Sequence, residues 1–248
     1  MERRLTVLGG CGAWPEAGRA SSGFLVEYDG FRLVLDLGYA TLPRLLTIVP
    51  DGRVDAVVIT HEHPDHCVDL HGLYRVWRFN LAPARLPVYA PTGVLTRLGA
   101  LDADGEAALR AILDHTPLPA GDLTVGPFRL ASHPLPHWVP NAGVRLSADR
   151  FVLAYTGDTG PDPALARLGR DADLFIVEAT LQGQPPTGGP RFLMTAREAG
   201  EAAAAAGAKR LLLTHFWPGS DRAVSVAQAR EAFAGEILVA DEGLQVPL

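Results

Sequence analysis

The chain has 248 residues, 48% of them apolar and 20% charged, with 22 Lys and Arg against 28 Asp and Glu for a net charge of −6. That balance excludes a disordered tail and disfavours bulk nucleic-acid binding, since a polyanion is repelled unless a locally basic face offsets the field. Two cysteines, Cys11 and Cys67, cannot build a disulfide framework, and a chain of this length has core enough without one, so a reducing cytoplasm is the expected compartment.

Met1-Glu2-Arg3-Arg4 leads into only a short run, Leu5 to Leu8, before Gly9-Gly10, below the roughly 7–15 apolar residues of a secretion signal. Strands are predicted over Leu5–Leu8, Phe24–Tyr28 and Phe31–Leu35, then a helix over Leu42–Ile48 and a strand over Val54–Thr60. A helix over Val68–Phe79, a strand over Pro87–Ala90 and a helix over Gly105–Asp114 follow. Strands over Phe128–Ala131, Gly143–Leu146 and Phe151–Thr156 precede a short helix, Pro163–Leu168, and a strand, Leu174–Val177. Gln182–Pro190 holds three prolines and three glycines and reads as a loop, either a plain surface linker or a flap beside a site. Thr195-Ala196-Arg197-Glu198 is a capping box opening an Ala-rich helix to about Ala206. The chain closes with a strand over Leu211–Thr214, a helix over Val226–Phe233 and a strand over Ile237–Val239. This mixture predicts an α/β layered architecture. The Ala-rich stretch Ala202–Ala208 is broken by Gly207, and no run approaches the roughly 18–20 apolar residues of a membrane span. No membrane association is expected.

The strongest chemical signal is His61-Glu62-His63-Pro64-Asp65-His66, directly after the buried-strand pattern Val54–Thr60. With 8 His in the chain, this spacing arises by chance in roughly one chain in a few thousand. Histidines two apart at a strand end turn toward one face, and a tight turn at Pro64 lets Asp65 and His66 face a second point nearby, which suits two metals. Two further strands end the same way: Phe151–Thr156 runs into Asp158 and Leu211–Thr214 into His215, at the carboxyl ends that ligands favour in α/β sheets. His137, ahead of Gly143–Leu146, is placed to reach the same edge, with His133 as its competitor.

These residues resemble the metallo-β-lactamase superfamily pattern of H-x-H-x-D-H, a lone His, a lone Asp after a strand and a final His. The resemblance runs from about Leu5 to Val239 and implies one domain over residues 1–248, a four-layer αβ/βα sandwich of two packed mixed β-sheets with helices on both outer faces. It implies one metal on His61, His63 and His137, another on Asp65, His66 and His215, and Asp158 bridging them. Imidazole and carboxylate without thiolate suit Zn²⁺, and Mn²⁺ or Fe²⁺ match the same ligand types. Two such ions hold a water and lower its pKa toward about 7, which supplies hydroxide as nucleophile. Asp65 could orient that water as well as bind metal.

Within the superfamily, His137 to Leu146 is similar to the H-x5-G-x-R pattern of ribonuclease Z-like phosphodiesterases. Asp173 to Thr180 resembles their strand ending in E-A-T, where the Glu, here Glu178, works with a helper His that protonates the leaving oxygen. Leu193 stands where that His is expected, the P-x-K-x-R-N loop is reduced to Pro15 and Arg19, and no tRNA-grasping insertion is present. The expectation is a hydrolase of a small or short nucleotide phosphodiester, not of tRNA, and with no extended nucleic-acid partner; self-association as a homodimer is compatible with it. Rival readings are a carboxylic ester, lactone or thioester hydrolase, a di-iron oxygen-binding protein, and an inert metal-stabilised module.

Other residues carry two readings each. Glu178 either hydrogen-bonds at the sheet edge or transfers protons. Arg145 and Arg19 either meet an anionic substrate or are structural. His71 and His115 read as surface or helix residues, Cys67 as packing at a helix start, and Gly9-Gly10-Cys11-Gly12 as a strand-to-loop turn. Trp138 and Trp217, next to proposed ligands, wall an apolar pocket or pack in the core.

Overall fold

Runs of Leu, Val and Ile buried on both faces make the strands of two mixed sheets. The computed structural model describes residues 3–248; Met1 and Glu2, at the head of the segment read for a leader, lie outside the described residues. In chain order the elements are β1 (Arg3–Gly9), β2 (Gly23–Tyr28), β3 (Phe31–Leu37), α1 (Thr41–Ile48), β4 (Ala56–Val58), and α2 (Pro64–Val76), which runs into a π-helical turn at Trp77–Leu81. Then come β5 (Leu86–Ala90), α3 (Thr92–Gly99), α4 (Gly105–Ile112), β6 (Leu113–Pro117), β7 (Leu123–Val125), β8 (Phe128–Leu135), β9 (Asn141–Ala148), β10 (Phe151–Tyr155) and α5 (Ala164–Leu168). The rest is β11 (Leu174–Glu178), α6 (Ala196–Ala206), β12 (Arg210–Thr214), α7 (Arg222–Arg230), β13 (Glu236–Val239) and β14 (Gln245–Pro247).

These elements fall into two units that interleave along the chain, one of residues up to 10, 14–118 and 241–247, the other of 11–13, 119–240 and 248. The first holds a seven-stranded sheet in the order β14-β1-β2-β3-β4-β5-β6, the second one in the order β13-β12-β11-β10-β9-β8-β7. Both follow one plan, an antiparallel meander continued by parallel strands, β3 to β6 in one and β10 to β13 in the other. In the first unit, Val34, Val57 and Val88 pack with Leu45, Leu70, Leu73 and Leu95 of the helices. In the second, Phe175, Val177 and Leu211 pack with Leu165, Leu168, Ala199 and Ala203.

Most predicted elements are present, with instructive differences. β4 stops at Val58 instead of Thr60, because the Thr60 N–H turns to the Asp36 carboxylate at 2.7 Å and leaves the ladder. The expected tight turn at Pro64 is a helix start: α2 begins four residues before Val68, with proline at the first helical position, where no N–H is needed. The helix expected to Asp114 ends at Ile112, since Leu113 to Pro117 pair in parallel with β5 as β6. α7 starts at Arg222, capped by Asp221, whose carboxylate accepts the Ala223 N–H at 2.9 Å, and it ends before the expected Phe233. α3, β7 and β14 have no counterpart in the sequence reading; β14 is three residues held by pairing to β1. The capping box at Thr195 forms as expected, and residues 182–190 are loop. Among the described residues no helix is long and apolar enough to cross a membrane.

Candidate metal centre

In the first unit the ligand-bearing segment leaves β4 and passes the end of β3, where Asp36 receives it. Asp36 is fully buried; its Oδ1 accepts the Thr60 N–H, and its Oδ2 accepts the Thr60 hydroxyl at 2.9 Å and His66 Nδ1 at 2.7 Å. A carboxylate only accepts, so His66 carries its proton on Nδ1 and keeps the lone pair on Nε2. Thr60, its hydroxyl proton directed at Asp36, accepts from His61 Nδ1 at 3.1 Å, which leaves His61 Nε2 as a lone pair. That nitrogen lies 3.0 Å from His63 Nδ1, and His66 Nε2 lies 3.5 Å from Asp65 Oδ2. Asp65 and His66 occupy the first turn of α2 behind the extended His63. Gly38 admits that turn: a Cβ there would stand 1.8 Å from the Asp65 carbonyl oxygen. Glu62 instead pairs with Arg97 at 2.6 Å.

In the second unit three connections at strand ends supply His137 after β8, Asp158 after β10 and His215 after β12. His137 Nδ1 donates to the Phe192 carbonyl at 3.1 Å, so its Nε2 is the lone pair, 3.7 Å from Asp158 Oδ2. His215 Nε2 lies 3.1 Å from the same oxygen. One carboxylate oxygen thus meets two imidazoles, the arrangement a shared ligand needs. Asn141 steadies the Asp158 loop, its Nδ2 donating to the carbonyls of Thr156 and Asp158 at 3.0 and 2.7 Å.

Glu178, fully buried, accepts from Thr159 N–H at 3.0 Å, Thr180 N–H at 3.2 Å and the Thr180 hydroxyl at 2.5 Å. Thr180 in turn accepts from His215 Nδ1 at 2.8 Å, which fixes the His215 tautomer as Asp36 fixes those of His61 and His66. Burial, with the Asp158 charge adding to it, pushes the Glu178 carboxyl up to about 7. His215 holds a left-handed backbone at φ +57°, uncommon outside glycine. Against its ring stands Gly12, where a Cβ would come within 2.6 Å of the imidazole. The Gly9-Gly10-Cys11-Gly12 turn therefore also makes room for His215.

The clustered His and Asp donors fit a divalent cation: buried or half-buried imidazole lone pairs with carboxylates and no thiolate. His133 lies on β8 in register with Gly143 and belongs to no such cluster among the described residues. Asp36 is not singled out in the sequence, where its trace is a charged residue directly after Leu35; Thr60, Thr180 and Gly12 read there only as a strand end, the close of the E-A-T stretch and part of a turn, without the contacts to His61 and His215.

Other candidates take structural parts. Arg145 donates to the Leu168 carbonyl at 2.9 Å, and Arg19 pairs with Asp241 at 3.0 Å. His71 sits on α2 against Asp102 at 3.1 Å; His115, expected on a surface or helix, lies on β6 and bonds the Ala90 carbonyl at 2.9 Å. Cys67 is buried in the first unit's core, and burial pushes its thiol up. Core packing is overturned for Trp138 and Trp217, which are 62% and 43% exposed. Trp138 stands edge-on to His137 at 5.0 Å between ring centres, and Phe192 lies 5.3 Å from it.

A family model described as a β-lactamase superfamily domain matches residues 32–216. The chain is 35% identical over 250 residues to the uncharacterized protein ML1173 of Mycobacterium leprae, covering 94% of this chain and 84% of that one. It is 30% identical over 244 residues to the probable metallo-hydrolase YhfI of Bacillus subtilis, covering 97% and 98%. The crystal structure of YhfI, a metallo-β-lactamase fold protein, superposes with a TM-score of 0.88 at 28% identity over 99% of this chain and all of that one. Ribonuclease Z of Kineococcus radiotolerans is 29% identical over 283 residues, covering 94% and 90%. The chain belongs to the β-lactamase superfamily, as a metallo-hydrolase of the metallo-β-lactamase fold with ribonuclease Z-like relatives.

Proposed function

We propose that the chain, working in the cytoplasm, is a dinuclear metal-dependent phosphodiesterase acting on a small or short nucleotide diester. His61, His63, His137 and Asp158 would hold one ion and Asp65, His66, Asp158 and His215 the other. The observation that carries this reading is the common polarity of four histidines. His61, His66, His137 and His215 each direct Nδ1 to a fixed acceptor and keep the lone pair on Nε2. A polar surface turn has no need of four imidazoles oriented alike.

Ions bound there, Zn²⁺ by ligand type with Mn²⁺ or Fe²⁺ as substitutes, supply hydroxide near neutral pH and neutralise charge developing on a phosphoryl oxygen. Asp65 would orient the attacking water as well as help hold metal. Asp36 and Glu178 position histidines; both oxygens of Glu178 are engaged by Thr159 and Thr180, so its part is exerted through His215. The choice of a phosphodiester rests on the ribonuclease Z relative, and the choice of a small one on the net charge of −6.

Elemental analysis coupled to a substrate panel tests this. The expected result is two ions per chain, with turnover of bis-p-nitrophenyl phosphate and nucleotide diesters above lactones and precursor tRNA. Lactone turnover alone would overturn the phosphodiesterase assignment, and a metal-free active enzyme would overturn the centre.

A further inference from the structure

Beside the second unit's ligands lies a cavity of about 310 Å³ lined by Thr180, Leu181, Gln182, Trp217 and Ser220. Its Thr180 is the residue that hydrogen-bonds His215, and its Trp217 follows His215 by two residues, so the cavity adjoins a proposed ligand directly. No lining side chain is charged, which suits the neutral part of a substrate and not its phosphate. Trp217 leaves 43% of its surface in water, although an indole gains more than most side chains by burial.

Gln182 gives the cavity direction. Its Nε2 donates to the Asp221 carbonyl at 2.6 Å and to Ser225 Oγ at 2.8 Å. A carbonyl only accepts, so the amide is fixed with nitrogen toward α7. Its Oε1 is then an oriented acceptor to which no described residue donates.

The geometry points to a base-binding subsite: the heteroaromatic ring of a nucleotide stacks on Trp217, and its exocyclic amino group donates to Gln182 Oε1. The uncharged lining suits a base, and the fixed acceptor selects an amino-bearing base such as adenine over hypoxanthine, whose carbonyl would oppose it. This subsite rests on the phosphodiesterase reading for its substrate, but its binding can be measured apart from turnover.

The test uses the p-nitrophenyl esters of adenosine and inosine 5′-monophosphate together with methyl p-nitrophenyl phosphate, all releasing the same nitrophenolate. The wild-type enzyme should favour the adenosine ester in kcat/KM. Trp217→Ala should raise KM for that ester by about ten- to a hundredfold with a smaller change in kcat, and Trp217→Phe should restore most of the loss. Gln182→Leu should level the adenosine and inosine esters. The subsite is overturned if Trp217→Ala leaves the ratio of adenosine to methyl ester unchanged, or if Gln182→Leu leaves the adenosine preference intact. Should Trp217→Ala fail to fold, the Phe variant and Gln182→Leu carry the test. If no ester is cleaved, the phosphodiesterase reading falls instead, and fluorescence titration with adenosine monophosphate decides the subsite alone. Quenching lost in Trp217→Phe would sustain it, and equal quenching in both proteins would end it.

Discussion

Gly12, like Gly38, stands near the candidate centre where a Cβ has no room. Because a methyl there would come within 2.6 Å of the His215 imidazole, Gly12→Ala should shift that ring and weaken metal binding by about 10–100-fold, as losing a supporting contact to a ligand does. Competition with a chelating dye measures it, and wild-type affinity would show that the ring yields without cost. Glu178 makes a pH prediction whose sign follows from its burial. Its carboxyl is raised in the folded chain from about 4.5 to about 7, so between those values the native state holds a proton that the unfolded state has lost. Stability from this group is present at low pH and declines as pH rises through that window. In chelator-treated protein the urea midpoint should fall between about pH 4.5 and about pH 7, and Glu178→Gln, neutral throughout, should flatten the fall. Equal slopes in the two proteins would remove Glu178 as the cause.

At the scale of elements, α6 shows how local chemistry sets a boundary. The Thr195 hydroxyl accepts from the Glu198 N–H while the Glu198 carboxylate accepts from the Thr195 N–H, and Arg191 grips the same carboxylate with two bonds of 2.7 and 2.6 Å. Thr195→Ala should cost about 1 kcal/mol, or roughly 2–4 °C in melting temperature, read by circular dichroism. An unchanged melting point would mean that Arg191 and Glu198 hold the helix start without the cap. The capping box was legible because its partners are three residues apart. β6 and β14 were not, because their evidence lies in pairing: β6 aligns with β5 from Leu86–Leu113 to Ala90–Pro117, and β14 meets β1 from the far end of the chain. Short strands of this kind carry too few alternating residues to declare themselves.

For the whole molecule, a centre that binds metals only when folded ties stability to occupancy. Removing them with a strong chelator should lower the melting temperature by roughly 5–15 °C, taking about 3–4 kcal/mol of binding linkage and the usual conversion for a chain of this size. Restoration by added Zn²⁺ should follow, and a melting curve indifferent to chelator would speak against resident metals. The amino-acid sequence by itself determined that His61, His63, Asp65 and His66 stand together and that Asp158 and His215 close apolar strands, because ligand spacing and strand periodicity are short-range properties. Tertiary structure alone decided the rest: that Asp36 serves two histidines 25 and 30 residues further on, one through Thr60 and the other directly, that Thr180 links Glu178 to His215, and that Trp138 and Trp217 face solvent. Those contacts join residues whose separation along the chain has no fixed relation to their distance in space, so only the packing of sheets and helices brings them within hydrogen-bonding reach.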